Sequence, residues 1–188
     1  MELNKAIQDR RSVRHFAKKA PNWRDILECL DSVRFAPMAG NTFSLRFLVV
    51  DDEKIIKKLA DAAQQPFVAE AKYVVVACTD PSLTLNAYEE RGEKYLRQQA
   101  GAAIENFLLS LQDKGLSTCW TGHFVDSLVR EAIKIPQGIT IEGMFPIGLE
   151  SIEKGKSPRK KQKIEMDRIL FFNKWKNKKM RPPKKLDV

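Results

Sequence analysis

Between Arg10 and Arg14 the chain reads Arg10-Arg11-Ser12-Val13-Arg14, three guanidiniums and one hydroxyl within five residues. Guanidinium forks match phosphate oxygens two at a time, and a serine hydroxyl adds a neutral donor. If the segment is extended, alternation places Arg10, Ser12 and Arg14 on one side. That is chemistry for gripping an anion; the plain alternative is a solvated basic run. A second segment, Ala36-Pro37-Met38-Ala39-Gly40-Asn41-Thr42, has small residues that let backbone approach a flat ligand. Asn41 adds a donor and an acceptor. Otherwise it is an ordinary helix-to-strand loop. The third segment, Gly115 to Phe124, contains Cys119-Trp120-Thr121-Gly122-His123 and reads as a short strand and turn with glycine near each end. The fourth, Ser157-Pro158-Arg159-Lys160-Lys161-Gln162-Lys163, is a second basic cluster far along the chain.

Several chemistries lack their residues. No G-x-G-x-x-G follows a strand, and no Walker A loop, H-E-x-x-H or G-x-S-x-G occurs. The two histidines, His15 and His123, belong to no such motif, so acid–base hydrolysis has no support. Cys29, Cys78 and Cys119 are odd in number and widely spaced; they read as reduced thiols, and no Cys/His metal site is expected. If the chain is an enzyme, a bound cofactor brings the chemistry.

The elements that position these segments follow from periodicity. Residues 2–9 read as a helix with Leu3, Ala6 and Ile7 on one face. Asn22 caps a second helix, Trp23 to Phe35, in which Ile26, Leu27, Leu30 and Val33 recur at helical spacing, and Ala36-Pro37 ends it. Leu45–Val50 is a strand, Glu53 to Ala63 a helix, and Tyr73–Cys78 a buried strand. A long helix spans Glu89 to Lys114, with Leu96, Ala100, Ala103, Phe107 and Leu111 on one face and Gly115 as its stop. Thr118 to Thr121 is a short strand, Ser127 to Lys134 a helix, and Thr140 to Leu149 a strand. The composite is α+β.

A chain of 188 residues with 43% hydrophobic composition supports one domain with its own core. No apolar run reaches the roughly 20 residues that span a bilayer, and the start has no apolar signal-peptide core; a cytoplasmic protein is expected. The net charge of +9 is unevenly spread, because residues 154–188 hold 14 Lys and Arg against 3 acidic residues. The body is then slightly acidic, so the high pI describes an appendage. The expected division is one domain over residues 1–173 and a basic tail over 174–188. An apolar segment within the basic region, Ile164 to Trp175 with Phe171 and Phe172, needs cover from its own body or from a partner subunit.

Taken in order, these segments resemble the nitroreductase family of flavoproteins. The set is Arg-Arg-Ser-Val-Arg-x-Phe from Arg10 to Phe16, Ala36-Pro37 with Asn41, a long helix ending in Lys114-Gly115-Leu116, Cys119-Trp120-Thr121-Gly122, a Pro146-Ile147-Gly148-Leu149 strand, and the basic Pro158 to Lys161 segment. It runs from about residue 4 to about residue 172. The resemblance implies a dimeric nitroreductase-like fold, with a mixed, mostly antiparallel sheet flanked by helices. It implies FMN as cofactor, with Arg10 and Ser12 on the ribityl phosphate and Arg11 sharing that contact or supporting the loop. Arg14 would sit near the pyrimidine edge, where a cation favours reduced flavin. Pro37, Met38, Ala39 and Asn41 would reach the flavin from the other subunit. The backbone at Thr121 and Gly122 would face its N5/O4 edge, and Arg159 and Lys161 would return to the phosphate. NADH or NADPH would donate electrons, and a nitroaromatic or quinone-like molecule would accept them in a ping-pong cycle. No catalytic side chain is implied. One departure stands out: Phe43 occupies a position where the family often has Gln, so a polar contact is lost or an aromatic wall gained. Two alternatives stay open. One is the same cradle with another reaction, such as reductive dehalogenation. The other is nucleic-acid binding through the tail, where Lys174 to Lys185 carries seven basic residues beside Trp175.

Overall fold

The computed structural model describes residues 2–151 and 164–180. The chain divides into two compact units, residues 1–155 and 156–188. Arg159 and Lys161 lie outside the described residues.

In the first unit the elements are α1 (Leu3–Asp9), α2 (Trp23–Asp31), β1 (Leu45–Val50), α3 (Glu53–Ala63), β2 (Tyr73–Thr79), α4 (Ser82–Tyr88), α5 (Glu90–Asp113), β3 (Ser117–Thr118), α6 (Asp126–Ile133) and β4 (Thr140–Gly148). Local chemistry sets the boundaries. The Asn22 side chain accepts the Arg24 amide, and the Asp52 carboxylate accepts the amides of Lys54 and Ile55, so α2 and α3 both start capped. Gly115, at φ +71°, follows the end of α5 in the left-handed conformation that stops a helix.

The sheet order is β1-β2-β4-β3, with every ladder antiparallel. An isolated parallel bridge, Ser12 to Thr118, adds the N-terminal segment beside β3, so the sheet is mixed and mostly antiparallel. Strand β2 is central and apolar throughout because both its faces are covered. Val75 and Ala77 enter one core with Ile26, Ala103, Phe107 and Phe145. Val74, Val76 and Cys78 enter the other with Ile56, Leu59, Val129 and Met144. Helices α2 and α5 thus cover one face, and α3 and α6 the other. Phe107 anchors the first core edge-on to Phe145, ring centroids 5.9 Å apart.

One helix is additional to the expected elements, and two expectations need correction. Helix α4 occupies 82–88, and Glu89 at φ +48°, ψ −131° separates it from α5, which begins at Glu90. Leu3 and Ile7 on α1, and Leu27 on α2, are exposed; Ala6, Ile26, Cys29 and Val33 make the inward faces. Each helix therefore carries a second apolar face. The strand expected over 118–121 pairs only at Ser117–Thr118 and again at Thr121. Between them Trp120 lies over Gly143, where an added Cβ would sit 2.4 Å from the indole nitrogen.

The second unit contains a short helix, α7 (Met166–Ile169). Its aromatics turn to one another: the Phe171 and Trp175 rings are 4.8 Å apart, and the Lys178 ammonium lies 4.2 Å from the Phe171 ring centre. Ile164, Met166, Ile169 and Leu170 are exposed, as is Trp175.

Candidate functional site

After α1 the chain becomes extended and is stitched to the sheet edge. The Val13 amide donates to the Thr118 carbonyl at 2.9 Å, and the Ala17 amide to the Leu149 carbonyl at 2.8 Å. Val13 and Phe16 are buried, whereas Ser12, Arg14 and His15 are exposed. The alternation expected from the sequence is therefore realised around Val13. Gly148 permits the close approach: a Cβ there would meet the Phe16 ring at 2.7 Å.

The three arginines differ in what they touch. Arg10 donates through Nε to Glu105 on α5, at 3.0 Å. Arg11 is spent structurally, with Nη2 on the Glu150 carboxylate and Nη1 near the Asp9 carbonyl. Glu150 is itself bridged to Phe16, so Arg11 ties the segment to the residues that follow β4. Arg14 lies over the Phe67 ring, 5.7 Å from its centre, and its charge faces solvent. The Ser12 hydroxyl has no hydrogen bond among the described residues. Next to it on the bridge, Thr118 carries a buried hydroxyl without a partner.

Four residues beyond Thr118 the chain reaches Gly122. The Thr121 amide and carbonyl are both bonded to Met144, at 2.9 and 3.0 Å. That amide is consumed within the sheet, whereas the amides of the exposed Gly122 and His123 make no backbone hydrogen bond among the described residues. Trp120 hangs beside it, held by its indole N–H on the Glu142 carbonyl at 3.2 Å.

The Pro37–Asn41 loop belongs to another part of the surface. Gly40 and Asn41 both adopt left-handed φ, +57° and +54°. The buried Gln99 of α5 accepts the Ala39 amide at 3.2 Å and donates to the Ser44 hydroxyl at 2.5 Å. Pro37, Met38 and Ala39 line an open cleft of about 480 Å³ with Tyr88, Tyr95 and Ala102. The two tyrosine rings meet edge-on, 5.2 Å apart. Phe43 turns inward and packs against the core, so it forms no wall of this cleft.

Within one chain the structure thus brings Arg10, Arg11, Ser12 and Arg14 to the sheet edge that leads to Thr121 and Gly122. It holds Pro37, Met38, Ala39 and Asn41 apart from them. Sequence reasoning missed Glu105, Glu150 and Phe67, which orient the arginines, and also Gln99. Only Gln99 left a signal: it is a polar residue three positions from Leu96, inside the apolar stripe of α5.

The site is thus an arginine-rich segment at the edge of an α+β sheet that carries helices on both faces. The chain belongs to the Nitroreductase family, whose model matches residues 7–149. It is 30% identical over 158 residues to a protein of Archaeoglobus fulgidus provisionally named NADH dehydrogenase/NAD(P)H nitroreductase, covering 81% of this chain and 88% of that one. A nitroreductase family protein from Clostridium difficile has the same fold, with TM-score 0.80, 21% identity and coverage of 93% and 99% of the two chains. So does an iodotyrosine deiodinase bound to FMN and 3-iodo-L-tyrosine, with TM-score 0.72, 22% identity and coverage of 88% and 98%. No helix among the described residues is long and apolar enough to cross a membrane.

Proposed function

We propose that the protein is an FMN-dependent oxidoreductase that takes electrons from NADH or NADPH and passes them to a small nitroaromatic or quinone-like acceptor. The observation that carries this reading is the edge segment. Arg10 keeps both terminal nitrogens without a partner among the described residues, Ser12 keeps its hydroxyl, and Arg14 keeps its charge in solvent. That donor set fits a phosphate, and the orphaned Thr118 hydroxyl beside it is a further polar group that a ligand there would satisfy. FMN, when bound, supplies two-electron chemistry that no side chain of this site can perform.

The chain's own residues bind and orient. Arg10 and Ser12 hold the phosphate. Arg14, shelved on Phe67, supplies a fixed positive charge that favours an anionic, reduced cofactor. Gly122 offers a backbone donor. Arg11 stiffens the segment through Glu150 and does not itself bind. No side chain here is required as a general acid or base, so the scarcity of histidine is no obstacle.

The test is the visible spectrum of the purified chain, followed by release and identification of the chromophore. Oxidation of NADH and NADPH is then followed with a quinone and with a nitroaromatic. A protein that stays colourless after FMN is added overturns the proposal. The likeness to a deiodinase supports a second reading, reductive dehalogenation on the same cradle. A flavoprotein that ignores quinones and nitroaromatics but releases halide from a halogenated phenol establishes it.

A further inference from the structure

Arg10 and Arg11 are adjacent, and each meets a carboxylate, but the two contacts leave different atoms available. Glu150 and the Asp9 carbonyl take the two terminal nitrogens of Arg11. Glu105 takes only Nε of Arg10, at 3.0 Å, and leaves Nη1 and Nη2 without a partner among the described residues. Those two nitrogens form the end-on fork that grips two phosphate oxygens at once. Glu105 itself projects from α5, whose neighbouring residues Ala103, Ile104, Phe107 and Leu108 are buried. The carboxylate is therefore mounted on a fixed part of the core. The pair is only partly exposed, with side-chain accessibilities of 25% for Arg10 and 43% for Glu105.

We infer that Glu105 is a positioning residue: it clamps Nε of Arg10 so that the terminal nitrogens face an incoming phosphate. This rests on the reading that the edge segment binds the FMN phosphate. A carboxylate near a phosphate is repulsive, so by charge alone Glu105 weakens binding. Its benefit is that a long, rotamer-rich side chain is already ordered before the ligand arrives. The two effects separate by substitution. Glu105→Gln removes the charge but keeps an oxygen that can accept from Nε. Glu105→Ala removes both the charge and the clamp, at a half-exposed helical site where alanine is a good helix former.

The experiment measures FMN affinity by quenching of flavin fluorescence, using full-length, FMN-stripped protein. The variants are Glu105→Gln and Glu105→Ala, each alone and combined with Arg10→Ala. Glu105→Ala is expected to bind FMN about 2- to 12-fold more weakly than Glu105→Gln, the worth of ordering one such side chain. With Arg10→Ala in place the two are expected to bind alike. Riboflavin, which lacks the phosphate, is expected not to separate them. Equal FMN affinity for the two single variants overturns the inference. So does a difference that persists without Arg10 or appears equally with riboflavin, because either marks a general structural effect. If Arg10→Ala alone binds FMN as tightly as the unaltered protein, the phosphate reading itself fails, and this inference with it.

Discussion

Replacing Gln99 by leucine should destabilise the protein by about 2 kcal/mol, through two orphaned groups and little change in volume. Gln99 is 4% exposed on α5 and joins the Met38–Asn41 loop to the start of β1. Its amide oxygen accepts from Ala39 and its amide nitrogen donates to the buried Ser44 hydroxyl. Leucine fills a similar volume, so the cavity contribution is small. The Ser44 hydroxyl, 2% exposed, then loses its donor, and an unsatisfied buried polar group costs about 1–3 kcal/mol. The Ala39 amide is only partly buried and adds a cost at the low end of that range. The extra apolar side chain offsets part of both. For a chain of this size, about 2 kcal/mol lowers Tm by roughly 4–8 °C. Urea unfolding of Gln99→Leu, Ser44→Ala and the double variant measures it. The double variant should recover about 1 kcal/mol relative to Gln99→Leu, since it removes the orphan itself. A Gln99→Leu protein within about 0.5 kcal/mol of the unaltered one would show that these two hydrogen bonds carry no net stability.

Burial pushes the thiols of Cys29 and Cys78 up to about 11. Unfolded thiols titrate near about 8.5, so the folded state holds these protons more tightly. Their contribution to stability is complete below about pH 8.5 and is lost as pH rises through about 11, with a slope approaching about 1.4 kcal/mol per pH unit for each thiol. Urea midpoints compared between the unaltered chain and Cys29→Ala/Cys78→Ala across that window should diverge; parallel curves would contradict it. The basic tail should be dispensable. A chain ending at Asn173 is expected to keep its flavin absorbance, whereas one ending at Lys163 loses flavin or solubility. Loss of colour from the shorter trim alone would show that residues 174–188 belong to the functional unit.

What the sequence could disclose depended on how local the cause was. The start of α3 was legible because Asp52 caps it within three residues, and β2 because an apolar run from Tyr73 admits no solvated face. The seven-residue α4 was not read, although Asp80-Pro81 is a start signal: the Asp80 carboxylate accepts both the amide and the hydroxyl of Ser82. Its interior, Leu83-Thr84-Leu85-Asn86, mixes two strong helix formers with two weak ones over too short a span to show a period, and packing against α5 holds it helical. The arginines were legible as a cluster of donors, but the contacts that divide their roles were not. Arg10 and Arg11 find their carboxylates 95 and 139 residues away, and such partners leave no trace in local spacing. The faces of α1 and α2 were misjudged for a related reason. Leu3, Ile7 and Leu27 satisfy helical periodicity as well as Ala6 and Ile26 do, and periodicity does not say which stripe meets the core.

Those exposed stripes bear on how the site is completed. Arg10 meets α5 at Glu105, and the Ala39 loop meets it at Gln99. Six residues of α-helix separate the two contacts by about 9 Å along the axis and about 120° around it. If the Pro37–Asn41 loop does not reach a cofactor held at Arg10 of the same chain, a flat ring there is open on one side and poorly shielded from water. A two-fold dimer would supply that cover by setting the loop of each subunit against the edge segment of the other, which would make two equivalent sites. The surface such a dimer would bury is available: Leu3 and Ile7 on α1, Trp23 and Leu27 on α2, and Phe35 just beyond it are all exposed. If each site needs both subunits, FMN binds the dimer in preference to the monomer, and mass action makes it stabilise the dimer, by about 2.7 kcal/mol for each site at a hundredfold excess over Kd. Sedimentation at low protein concentration, with and without FMN, should show the monomer fraction falling as FMN is added. A flavin-saturated monomer would defeat the shared-site argument even if the protein still turned over.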